Sequence, residues 1–215
     1  MALYDDLENV AFEDASADLA GVAHGWYVRI RQTCRALLLL HSNDFGDEAS
    51  PLRRSIIEHA VALYWLVDAK ETALDALSRQ HQGRTKLTAD NLGEGWSITR
   101  EDLSRILDAE IDPSPQETYL KFTHQCQKYG FSEIMVAWLT ETATCHPSLL
   151  SAESYVDETD GQRVLLKDSK RFAETDVKLA LSIFLLIASG AFNHLLKGQP
   201  WTTELEEIER QMTAD

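Results

Sequence analysis

In the stretch SPLRRSIIEHAVALYWLVD, residues 50–68, Arg53, Arg54, Glu58 and His59 crowd into two helical turns. A guanidinium, a carboxylate and an imidazole at such spacing are the parts of an anion-handling or acid–base site. Arginine holds phosphate or carboxylate through a planar fork of donors, and histidine exchanges a proton near neutral pH. A second string, TATCHPSLL, places His146 before Pro147 and Ser148, where a helical pattern ends. The negative end of a helix dipole favours a protonated imidazole there, and Ser148 offers a hydroxyl two residues on. The candidate catalytic groups are therefore Arg54, Glu58, His59 and His146, with Arg53 and Ser148 as candidate binding groups.

The element that positions the first cluster begins with Ser50 as a capping residue and Pro51 in the first turn. At about 100° per residue, Arg54 and Glu58 lie about 40° apart, on the face that also carries Val61 and Trp65, whereas Arg54 and His59 are separated by about 140°. An intrahelical pair with arginine before glutamate gains only a few tenths of a kcal/mol, roughly. The two charges are thus expected to reach groups on another element, either as a structural network or as a site. Tyr64, Trp65 and Tyr119 could line a pocket between helices in which Arg54 holds an anionic group.

Stepping outward along the chain, Trp26, Ile30, Thr33, Leu37 and Leu40 predict a first helix over roughly 20–42. The Pro51 helix is expected to run to about Ser78, with a loop over 83–97. Shorter helices are expected over roughly 99–110, 115–128 and 132–145. Asp160 and Gly161, between two short runs of strand formers, signal a small hairpin. A helix over roughly 174–196 and a last amphipathic helix complete an all-α, up-and-down bundle of about five to seven helices with one small β-hairpin. A single domain is expected over 1–215, with 1–20 an acidic N-terminal segment and 201–215 a short C-terminal helix.

The chain has 20 Lys+Arg against 35 Asp+Glu, a net charge of -15, so any nucleic-acid site must be local. Cys34, Cys126 and Cys145 form no CxxC, and the first twenty residues are acidic where a signal peptide is basic and then apolar, which points to a reducing cytoplasm. Residues 179–192 carry no charge, yet Ser182, Ser189, Gly190 and Asn193 fit a helix buried in a bundle better than a membrane span. His124, Cys126, Cys145 and His146 lack the spacing of zinc ligands. No Gly-rich phosphate loop and no GxSxG turn is present, so neither metal nor cofactor is expected.

A helix ending in RALLLL, a short break, the helix LRRSIIEHAVALYWLVD, and much later an aromatic helix followed by His146-Pro147-Ser148 together resemble an uncharacterised bacterial family of all-helical proteins. The resemblance covers roughly 26–150 and rests on Arg54, Glu58 and the His-Pro-Ser string. The same helix resembles the arginine-to-histidine motif of the HEPN superfamily, helical bundles found in toxins and phage defence. Arg54 with His59, or Arg53 with His59, fits its spacing, and Ser55 supplies the polar residue that follows the arginine. That resemblance implies a homodimer that cleaves RNA without metal, with His59 taking the proton of a ribose 2′-hydroxyl and Arg54 stabilising charge on the phosphate. The alternatives are a non-catalytic module that binds a protein partner and a bundle that binds a small anion.

Overall fold

The computed structural model describes residues 11–13, 15–93, 97–159, 161–166 and 174–213. It is mainly helical with one small antiparallel hairpin, as the periodicities predict.

Helix α1 spans Ala17–Ser42, and its start is fixed by Ser16, whose hydroxyl accepts from the Leu19 amide at 3.1 Å. Leu19, Ala23, Tyr27, Ile30, Cys34 and Leu37 recur every three or four residues and are all buried, so one apolar stripe runs along the helix. Helix α2, Ser50–Ala69, buries a wider face, including Ile56, Ile57, Ala60, Val61, Leu63 and Trp65. That width suits a central position: α2 packs against α1, α5, α6 and α8. Here α5 is Phe122–Tyr129, α6 is Ser132–Cys145 and α8 is Glu174–Asn193.

Several expected boundaries move, some through a tertiary partner and some through a local turn. Ala49, not Ser50, is the N-cap of α2, because the Ser50 hydroxyl is drawn to α6. The helix breaks at Lys70, whose φ is 49°, and α3 resumes at once over Glu71–Asp90, so residues 83–90 are helical rather than looped. Tertiary bonds override the weak helix propensity of Gly83. The Gln82 amide donates to the Ala109 carbonyl at 2.7 Å, and the Arg79 guanidinium donates to the Ile111 carbonyl at 2.7 Å. The segment at 99–110 is reduced to one turn, α4, Ser104–Leu107, because the Asp102 carboxylate folds back to accept from the Thr99 amide at 2.8 Å. The 115–128 segment is split into a 3-10 turn, Glu117–Leu120, and α5, by the extended backbone of Lys121.

A short α7, Leu149–Glu153, leads into strands β1, Val156–Thr159, and β2, Gln162–Leu165, with Val156 opposite Leu165 and Thr159 opposite Gln162. Gly161 turns with φ +71°, a conformation that favours glycine, while its expected companion Asp160 lies outside the described residues.

Helix α8 ends at Asn193, three residues before the expected end. The Asn193 side chain accepts from the Trp201 amide at 3.0 Å and donates to the Thr202 hydroxyl at 3.1 Å, folding the chain into α9, Thr202–Thr213. Ser189 of α8 is used inside the bundle, where it meets the Tyr27 hydroxyl at 3.1 Å and the Tyr27 ring stacks on Phe192 at 4.5 Å, whereas Leu179, Ser182 and Ile183 lie on an exposed face of the helix. Among the described residues no helix is long and apolar enough to cross a membrane.

Candidate functional site

Ile134, Trp138, Glu141 and Cys145 recur at spacings of four, three and four, which makes them one stripe of α6. Ser50, Arg54 and Glu58 recur every four residues on α2, with Arg53 beside them. Where these helices meet, Ile134, Ala137 and Trp138 pack against the core, and polar contacts run beside them.

Arg54 is the hub of the outer part. Its Nε donates to Glu58 Oε1 at 2.9 Å, its Nη1 lies 2.9 Å from His146 Nε2, and its guanidinium carbon stands 5.4 Å from the centre of the Trp138 ring. Trp138 Nε1 donates to the same Glu58 oxygen at 2.8 Å, and its ring stacks on Phe122 at 4.8 Å. The charges on α2 therefore do reach another element. Because a guanidinium has no acceptor, a hydrogen bond from Arg54 to His146 requires Nε2 to accept. His146 follows the last residue of α6 with extended backbone and is exposed, so the Arg54–His146 couple is open to solvent.

The inner part belongs to Arg53. Its Nε donates to Glu141 Oε1 at 2.7 Å and its Nη1 to the Gly46 carbonyl at 2.6 Å. Ser50 donates to Glu141 Oε2 at 2.6 Å and lies 3.5 Å from the Cys145 sulfur. Arg53 and Glu141 side chains are only 10% and 14% exposed, against 26% and 37% for Arg54 and Glu58, so the inner pair ties the helices and the outer pair faces outward.

His59 is not brought to Arg54. Its Nδ1 bonds the Ser55 carbonyl at 2.7 Å, and its ring stands edge-on to Trp26 of α1 at 6.2 Å. Burial lowers its pKa, and the nearby Arg29 charge lowers it further, against opposing effects from the Ser55 carbonyl and Glu58. Ser148 caps α7: its hydroxyl donates to the Ala143 carbonyl and accepts from the Ser151 amide at 3.1 Å.

The aromatic trio does not converge around Arg54. Trp65 is buried and donates to Gln116 Oε1 at 3.1 Å. Tyr119 lies under the Lys128 ammonium, 5.0 Å from the ring centre. Tyr64 packs edge-on to Tyr129 at 4.9 Å and lines an open cleft of about 480 Å³ together with Phe131, Leu186 and His194. Neither Trp65, Tyr119 nor Arg54 contributes to that cleft. His124 bonds the Thr118 carbonyl at 2.8 Å, and Cys126 is buried, which pushes its thiol pKa up to about 11.

Trp138 and Glu141 are the partners that motif reading missed. The available signal was a lone carboxylate on the apolar stripe of α6, the kind of residue that stays in a buried seam only when paired. Neither a curated protein nor a solved structure is significantly similar to the chain. The model of one family, described as a family of unknown function (DUF5677), matches residues 20–163, the segment that holds most of α1, all of α2 and α6 and every residue of the Arg54 and Arg53 clusters, and the chain belongs to that family.

Proposed function

We propose that this protein is a HEPN-like cytoplasmic component of a defence or toxin system, a homodimer that acts on RNA without metal at the Arg54–His146 couple. The observation that carries the reading is the 2.9 Å contact between Arg54 Nη1 and His146 Nε2 on an exposed surface. One guanidinium for a phosphate and one imidazole for a proton are the minimum set for transesterification at a ribose.

In the free protein Arg54 occupies the lone pair of His146. When an RNA phosphodiester arrives, the guanidinium turns to its non-bridging oxygens and His146 Nε2 becomes a free base. The imidazole then takes the 2′-hydroxyl proton, the 2′-oxygen bonds to the adjacent phosphorus, and the bond to the 5′-oxygen breaks. The products are a 2′,3′-cyclic phosphate and a 5′-hydroxyl, whose proton comes from water. Glu58, clamped by Trp138, keeps Arg54 within reach of both positions. His59 lies on the α1 side of the same helix, so it would act with Arg54 only across a dimer.

The test is RNA cleavage in the presence of EDTA. Expected are activity in the native chain and its loss in Arg54→Ala and in His146→Ala; full activity in both variants rejects the assigned roles.

A second reading, a non-catalytic module for a basic protein partner, is favoured by the net charge of -15 and by the strut that Arg54 and Glu58 form between α2 and α6. It predicts that Arg54→Ala lowers thermal stability and that no RNA is cleaved by any variant.

A further inference from the structure

Helix α8 has two apolar faces. Val177, Leu181, Phe184, Ala188 and Phe192 recur every three or four residues and are buried in the core. Leu179, Ile183, Leu186 and Gly190 recur at spacings of four, three and four on the opposite side, where a surface helix is ordinarily polar. Leu179 is 51% exposed and Ile183 40%, and no charged residue stands between Leu179 and Phe192. The bundle accounts for the inner face only. An exposed apolar row along a helix marks a surface that meets another molecule.

This outer row runs into the open cleft of about 480 Å³, which Tyr64, Phe131 and Leu205 line together with Leu186, Ile187 and Gly190. Gly190 is informative. Glycine weakens a helix interior relative to alanine, and the backbone of Gly190 has no positive φ that would call for it. A Cβ at this position would meet nothing within 4 Å, so no neighbour among the described residues needs the side chain to be absent. The bare backbone leaves room for a second backbone to approach from outside.

The carboxylates of the cleft are Glu206 and Glu209, both exposed on α9, and Arg210 of the same helix is engaged with Glu207. An apolar groove with carboxylates at its rim attracts a basic partner and repels an acidic one. From Leu179 to Gly190 the outer row is roughly 16 Å long, about three helical turns. A small cation in the cleft would leave Leu179 and Ile183 bare. An amphipathic helix covers the whole row, with apolar anchors at intervals of three and four and basic residues on its flank.

We propose that the outer row of α8 and the cleft at its end bind an amphipathic helix of a partner protein, flanked by lysine or arginine, whose backbone crosses Gly190 and whose basic flank meets Glu206. The inference rests on the second reading above, a basic protein partner. Its test is separable from that one, which is read at Arg54, because neither Arg54 nor His146 lines this cleft. The probe is a synthetic amphipathic peptide of leucine, alanine and lysine, about four helical turns long, titrated into the full chain and followed by backbone amide chemical shifts. One comparator carries glutamate at each lysine position. The other has the same composition in an order without an apolar face.

Saturable shifts are expected over residues 179–194 and 202–209, with affinity about tenfold weaker, or weaker still, for either comparator. Gly190→Leu places its side chain in open space, so it is expected to melt no lower than the native chain and to bind about tenfold more weakly. Should it not fold, Leu179→Asp, on the exposed part of the row, is expected to weaken binding, as is Glu206→Lys. Unchanged affinity in Gly190→Leu or Leu179→Asp, equal affinity for the glutamate comparator, or shifts confined to other faces overturns the assignment. Shifts of the same amides that grow with protein concentration when no peptide is present overturn it in favour of a second copy of the chain.

Discussion

Arg53 and Glu141 stand 88 positions apart in the chain and meet at 2.7 Å in the seam between α2 and α6, the more buried of the two ion pairs that α2 makes there. Removing one member of such a pair strands the other charge. Glu141→Ala is therefore expected to lower unfolding free energy by about 3 kcal/mol, and Glu58→Ala, on the exposed side, by about 1 kcal/mol. Urea melts of the two variants measure the difference, and the reverse order would contradict this division of the seam.

The contact between Tyr27 and Ser189 joins α1 to α8 inside the core. Tyr27→Phe keeps the stacking on Phe192 and removes the hydroxyl, so a loss of about 1 kcal/mol is expected. Because the two hydroxyls share one bond, Tyr27→Phe and Ser189→Ala should cost less together than the sum of the single changes. Strict additivity in a double-mutant cycle would show that the bond contributes nothing.

His59 gives stability a pH dependence of known sign. Its pKa in the folded chain lies below the ordinary histidine value of 6.5, so in the window just under 6.5 the unfolded chain binds the proton more readily. Stability from this residue is complete above 6.5 and is lost as pH falls from there toward the lowered folded value. Chemical melts of the native chain and of His59→Gln across this range should show a steeper acid-side decline in the native chain. Parallel curves would remove His59 from the account.

Most helices were legible because apolar periodicity reports which face is buried, as the stripes of α1 and α2 do, and the hairpin was legible from its turn residues. Three of the boundaries that moved were set by partners elsewhere in the chain: Glu141 draws in Ser50, Ala109 and Ile111 hold α3 straight past Gly83, and Trp201 ends α8. The site was half legible. Spacing on one helix marked Arg54 and Glu58 as charges that needed an outside partner, and His146 stood out beside Pro147. It could not say that Arg54 turns to His146 and not to His59, since that choice depends on which neighbour, α6 or α1, each face of α2 meets.

The chemistry proposed at Arg54 and His146 leaves a signature in its product, and end-group analysis of a short RNA incubated with the protein in EDTA reads it directly. The expected result is a 2′,3′-cyclic phosphate and a 5′-hydroxyl, no cut at a position carrying a 2′-deoxyribose, and a rate about a hundredfold lower in His146→Ala. An uncut RNA, or a cut that proceeds at the deoxy position or at full rate in His146→Ala, would contradict it.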